Sequence, residues 1–246
     1  MSSIAEEIAG LKVASATQTA ASQALSQEVA GKMGQIDQKT HENTAKVDSE
    51  LAKIQTKLSR IVMTRNQELD FEGGFPKSFA VSANVTIELY LAVTEHNVKS
   101  PDAVALLQEV MQDTGFNLKP MAYYRRGFNV IKISWVNKPG WLCYPHAADD
   151  AQSLSIPLNT FYTLGSFTKI LSGGLLSGAE AWAKGAELGK WRFCNFKASP
   201  SGFGAYSYLH PIPSTPTGEM LVFLPAAITG HIDDGSEWFP NIKIGN

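Results

Sequence analysis

The chain has 246 residues and a formal net charge of −2, room for one ordinary domain plus an extension. Residues 1–66 carry 8 basic and 7 acidic side chains and the remainder 13 and 16, so neither part has the clustered positive field of a nucleic-acid binder. The composition is divided: the 12 Phe, 7 Tyr and 5 Trp all lie at or after Phe71 and the 12 prolines at or after Pro76, which excludes an aromatic core from the first quarter.

That first quarter reads as a helix. Its glycines are Gly10, Gly31 and Gly34, and nothing else interrupts it before Asn66. Positions Ile4, Ile8, Leu11, Ser15, Gln18, Ser22, Leu25 and Val29 alternate four- and three-residue steps, the seam of a coiled coil with a polar middle. After Leu25 the period lengthens. Leu25, Ile36, Val47 and Leu58 are spaced by eleven, as are Val29, Thr40, Leu51 and Val62, with Ile54 and Ile61 completing the last turns. An eleven-residue repeat gives helices that run straight or coil slightly right-handed.

A helix of about 60 residues extends roughly 90 Å, too long to pack on its own head. Self-association supplies the missing partner. The seam mixes Ile, Val and Leu without the dimer pattern, and Ser15, Gln18, Ser22, Thr40 and Asn43 place register-setting polar groups at or near it. Three parallel chains are expected, with residues 1–25 a candidate docking segment.

Beyond Asn66 the pattern changes to strands. Asn84 to Thr94 alternates, with Val85, Ile87, Leu89, Leu91 and Val93 expected on one face. Ser100-Pro101-Asp102 starts a helix from Ala103 to about Asp113 that places Val104, Leu107 and Val110 or Met111 on one side, and Gly115 ends it. Pro120–Tyr124, Phe128–Val136, Trp141–Tyr144, Leu158–Ile170, Trp191–Lys197, Tyr206–Leu209, Met220–Leu224 and Ile242–Ile244 read as strands between Pro and Gly turns. Ala179–Leu188 is open between loop and short helix. The expected fold is therefore a trimeric α-helical parallel coiled coil over residues 1–66. A mainly-β, sandwich-like head with one or two short helices follows over residues 67–246.

Phosphate-binding glycine loops, nucleophile elbows and paired-histidine zinc motifs do not occur in the chain. Glu88, Glu95, Glu180 and Glu187 form no recognisable hydrolase pair, and the chain is not expected to be an enzyme or to need a cofactor. His146-Ala-Ala-Asp149-Asp150 and His231-Ile-Asp233-Asp234 set an imidazole beside two carboxylates, a cation-binding chemistry, yet solvated loops account for both and no metal is expected. His210, in His-Pro-Ile-Pro, reads as part of a rigid turn. Tyr124, Arg125, Trp141, Tyr144 and Trp238 are the candidate ligand-binding residues, because aromatic faces beside polar groups suit sugar rings.

The seam residues Ile4, Ile8, Leu11, Leu25, Val29, Ile36, Val47, Leu51, Ile54, Leu58 and Ile61 are the candidate oligomerisation set. The N-terminal sequence lacks a basic n-region and an apolar stretch, and no run reaches the roughly 18 apolar residues of a membrane span. Assembly in a cytoplasm, without membrane insertion, is the expectation. Cys143 and Cys194 are expected as buried free thiols.

The Ala-, Ser-, Thr- and Gln-rich run Ala14-Ser-Ala-Thr-Gln-Thr-Ala-Ala-Ser-Gln-Ala-Leu-Ser-Gln, followed by Val29-Ala-Gly-Lys-Met-Gly-Gln-Ile-Asp-Gln-Lys, resembles the stalks of tailed-bacteriophage fibre proteins. The resemblance is architectural and covers about a quarter of the chain. It implies a homotrimer in a virion, assembled in the host cytoplasm, with other virion proteins at one end and a head facing a bacterial receptor such as a polysaccharide. The competing readings are a purely structural virion fibre (collar, baseplate or capsid-attached) whose head docks to protein, and a fibre-borne glycan hydrolase.

Overall fold

The aromatic-free quarter of the chain is one uninterrupted helix, α1 (Ile4–Lys57, 54 residues). The computed structural model describes residues 3–57, 60–94, 100–118, 127–148, 155–157, 160–202, 206–238 and 242–243. The chain divides into two units, Met1–Leu58 and Ser59–Asn246. Ser3 caps α1 reciprocally: its Oγ accepts from the Glu6 N–H at 3.4 Å, and its own N–H donates to Glu6 Oε2 at 2.9 Å. This capping box satisfies two otherwise orphaned donors, and Glu6 and Glu7 complement the positive end of the helix dipole. Along the helix, Thr17, Thr19, Ser26, Thr40 and Thr44 turn their hydroxyls back to the carbonyl four residues earlier, all at 2.9 Å. Their polar atoms are thereby satisfied without a second chain.

The stalk expected to reach residue 66 ends earlier. Ile61–Val62 is strand β1, not the last helical turn. Val62 pairs with Ile228, and Ile61 pairs in parallel with Ile242. Two adjacent β-branched residues favour extended backbone, and the sheet buries Val62 almost completely.

The C-terminal unit continues with β2 (Phe71–Glu72), β3 (Phe75–Pro76), β4 (Phe79–Val81), β5 (Val85–Val93) and α2 (Pro101–Thr114). Then come β6 (Phe128–Trp135), β7 (Cys143–Pro145), β8 (Ser155–Pro157), β9 (Tyr162–Ser172) and β10 (Arg192–Ala198). The last are β11 (Tyr206–Tyr208), β12 (Gly218–Thr229) and β13 (Ile242–Lys243). Among the described residues, seven strands form one sheet around β12, with β9 and then β10 on one side. On its other side the first half of β12 pairs with β6, which carries β5, and its end pairs with β1, which carries β13. Apart from β1–β13, these pairings are antiparallel.

Each face of the sheet has its own apolar cluster. On one, α2 packs Ala103, Leu106 and Val110 against Phe128, Phe167, Trp191, Phe223 and Trp238. Phe167 and Phe223 stack at 4.7 Å with 6° between planes. On the other face the ribbons β4–β7 and β8–β11, with a 3-10 turn at Ala181–Ala183, cover Ile131, Ile133, Trp135, Leu164, Met220 and Val222. The expected sandwich is thus asymmetric: one broad sheet, faced by ribbons on one side and a helix on the other.

Two bulges route side chains between these clusters. In β5 the register shifts between Leu89 and Leu91, so Val85 and Ile87 face the ribbon side while Leu91 and Val93 face α2. A single-face strand was expected; one extra residue reverses the alternation, and Leu89 and Tyr90 are left exposed. In β12, Leu224 at φ 52° and the following Pro225 form a bulge between Phe223 and Ala226. The missing proline N–H falls where the ladder is interrupted, so a central strand continues to Thr229 instead of stopping at Leu224.

The helix α2 follows its signals closely. Ser100 Oγ accepts from the Ala103 N–H at 3.2 Å, and Gly115 closes the helix at φ 81°. Its inner face is rotated from expectation: Ala103, Leu106 and Val110 are buried, whereas Val104 and Met111 are exposed. Glu109 fixes it to the sheet through Lys169 Nζ and Trp191 Nε1. The open segment 179–188 contains one 3-10 turn, Ala181–Ala183, and isolated β-bridges at Glu187 and Leu188 rather than a longer helix. The expected strand Pro120–Tyr124 lies outside the described residues.

Candidate functional site

The apolar positions of the α1 seam stand exposed. Ile4, Ile8, Leu11, Leu25, Val29, Ile36, Val47, Leu51 and Ile54 are all exposed, from 49% at Val29 to 77% at Ile4. Nine large side chains at the four-, three- and eleven-residue spacings leave on the order of 15 kcal/mol of gross burial unrealised in one chain. Leu58 lies outside the described residues, and Ile61 belongs to the sheet.

In the C-terminal unit the predicted ligand residues separate. Trp238 is fully buried, its indole N–H donating to the Leu224 carbonyl at 2.8 Å across the bulge and its ring packed 5.2 Å from Phe193. It is a core residue, since no face remains for a ligand. Tyr144 is also buried, and burial raises its phenol above the ordinary value. Trp141 is half-buried, 5.4 Å from Tyr144 and 6.0 Å from His210. Tyr124 and Arg125 lie outside the described residues.

His210, expected to be only a turn residue, links this pair to a groove. Tyr208 meets it edge-on at 5.4 Å, and that tyrosine is 59% exposed. The groove has a volume of about 620 Å³. Gly178, Ala179, Glu180, Ala181 and Lys184 line one side and Ser207, Tyr208, His210 and Ile212 the other, with Phe196 between. Lys184 Nζ lies 5.1 Å from the centroid of the Phe196 ring, a cation–π contact.

Backbone hydrogen bonds fix the walls. Ile212 N–H donates to Ala179 O at 3.0 Å, Leu176 N–H to Ile212 O at 2.8 Å, and Ser214 N–H to Gly174 O at 2.9 Å. Ala181 holds φ 47°, a left-handed conformation uncommon for a residue with a Cβ, and it lines the groove. Sequence reasoning weighed Glu180 only as an acid without a hydrolase partner and passed over Lys184, Phe196, Ser207 and Tyr208. Their only local signal is the alternation Tyr206-Ser-Tyr208 running into the rigid His-Pro-Ile-Pro turn.

The histidine–carboxylate motif at His231 is engaged internally. Its Nε2 donates to the Ala198 carbonyl at 3.0 Å, Asp233 pairs with Lys197, and Asp234 accepts the Ser236 N–H at 2.8 Å. Asp149 and Asp150 of the other motif lie outside the described residues. Among the described residues no cluster of three metal-ligating side chains occurs, and no helix is long and apolar enough to cross a membrane. Cys143 and Cys194 are free and buried; desolvation raises both thiols, Cys194 to about 12.

Comparison with protein-family models, with curated proteins and with solved structures gives no match.

Proposed function

We propose that the chain is the subunit of a homotrimeric fibre of a phage virion, a parallel coiled-coil stalk carrying a β-rich head that presents a receptor-binding surface. The observation that carries this reading is the seam. Nine large apolar side chains at coiled-coil spacings stand exposed on a 54-residue helix. A helix so exposed is marginal alone, and lateral association with copies of itself buries one stripe along its whole length. At the seam position Thr40 the hydroxyl is bonded to the Ile36 carbonyl, which lowers the cost of enclosing it.

For the head, the groove beside Tyr208 supports recognition more than hydrolysis. Among its described lining residues Glu180 is the single carboxylate, whereas glycosidic cleavage ordinarily uses a pair.

Sedimentation of the full chain tests the stalk: three chains per particle are expected, and a monomer at micromolar concentration would refute the fibre. Adsorption of the labelled full chain to bacterial cells tests the head. Failure to adsorb, together with co-purification with virion proteins, would favour a collar, baseplate or capsid-attached role over host recognition.

A further inference from the structure

We propose that the groove between residues 178–184 and 207–212 binds a neutral saccharide, with one sugar ring laid on the exposed face of Tyr208 and hydroxyls taken by Glu180, Lys184 and Ser207. This deepens the receptor-binding reading above and moves the binding site away from Trp238.

The chemistry of the lining selects the ligand. Tyr208 is 59% exposed, yet its ring is braced edge-on by His210 at 5.4 Å, and Trp141 and Tyr144 stand behind that imidazole at 6.0 and 6.4 Å. An aromatic side chain held this way offers a fixed apolar platform, which suits the CH face of a pyranose ring. Glu180 and Lys184 supply one acceptor and one donor, and Ser207 is both. Among the described lining residues the formal charges cancel, which favours a neutral ligand. Lys184 is also held over Phe196, which keeps its ammonium on the wall at 5.1 Å from the ring centroid.

Several backbone groups of the walls are already engaged. The N–H groups of Ala179, Ala183, Lys184 and Ile212 already donate to Leu176, Glu180, Ala181 and Ala179 carbonyls within the walls. An added strand could not pair with these groups, and the proposed recognition rests on side chains. The same bonds make the groove preformed, which limits the ordering cost of binding a small polar ligand. A volume of about 620 Å³ falls within the usual range for a small-molecule site.

The test titrates the full-length chain with maltose, cellobiose, lactose and N,N′-diacetylchitobiose, followed by saturation-transfer NMR. At least one probe should bind saturably, with a dissociation constant on the order of 1 mM, as expected of one shallow polar site. Tyr208→Ala should weaken it roughly tenfold, the scale of one stacking contact, while Tyr208→Phe retains it. Ser207→Trp should abolish binding by filling the groove, with unchanged thermal unfolding as the folding control. The proposal is overturned if none of the four sugars binds saturably at about ten times that concentration, or if binding survives both Tyr208→Ala and Ser207→Trp. Sedimentation of the same samples separates the two readings: a trimer that binds no sugar refutes the groove alone, and a monomer that binds sugar refutes the fibre alone.

Discussion

The two units place their hydrophobic residues in opposite ways. In α1 every described side chain is exposed, apolar ones included, whereas the C-terminal unit buries Trp135, Trp182, Trp191 and Trp238 almost completely. Among the described residues the helix carries an exposed apolar stripe, and the head closes two apolar clusters by itself. In the proposed fibre the stability of the first would be a property of the assembly, and that of the second a property of one chain. Mutations in each unit should follow that division.

The largest effect is expected from the stripe. In the proposed trimer, replacing Leu51 and Ile54 together by Asn removes two apolar residues from each of three helices, on the order of 10 kcal/mol per trimer. Sedimentation should then show dissociation to monomers at micromolar concentration, with the near-ultraviolet circular dichroism of the head unchanged. A trimer that survives the double substitution would mean that the seam lies on another face of α1.

Next in size is Trp238→Ala. A fully buried indole that fills the space beside Gly165 and bonds to Leu224 should leave a cavity and an unpaired carbonyl, costing about 3–5 kcal/mol of head stability. Denaturant unfolding of the C-terminal unit measures it. A change below about 1 kcal/mol would return Trp238 to the surface and revive it as a ligand contact.

These two cases also mark how far the sequence could be read. The helix was legible because its period repeats and nothing in the chain interrupts it. Its end was not, since Ile61 and Val62 satisfy both the helical spacing and the preference of β-branched residues for strands; only pairing with Ile242 and Ile228 decides. In the head, the existence of α2, β6, β9 and β10 followed from caps and alternation. The faces did not. A bulge at Tyr90 reverses half of β5, and the bulge at Leu224 lets Pro225 sit inside a central strand. Bulges depend on the partner strand, which local pattern does not contain. Trp238 sits between acidic and proline residues that suggest a surface loop, yet its depth is set by Phe193 and Leu224, far away in the chain. The groove is assembled from segments almost thirty residues apart, so its aromatic and polar members share no motif.

The smallest effect concerns the thiols, and it again separates the units because both cysteines belong to the head. Cys194 is buried beside Thr168, and desolvation lifts it from an ordinary 9.0 to about 12; Cys143 is lifted further by the same cause. A thiol with a raised folded value keeps its full contribution to stability below the unfolded value. As pH rises above about 9 the unfolded chain ionises first, so head stability should decline progressively toward pH 12. The helix, having no thiol, should show no such component. Replacing both cysteines by Ser removes the titration but leaves two hydroxyls in apolar surroundings; Cys143→Ala with Cys194→Ala is the cleaner variant, and the alkaline slope of its unfolding free energy should be shallower than that of the parent. Reaction with a thiol reagent at pH 8 checks the same burial kinetically: no labelling of the native chain within the time that the denatured chain labels at both positions. Prompt labelling of either cysteine in the folded protein would show that the head opens locally around β7 or β10, and that its closed core is less self-sufficient than the contrast with α1 requires.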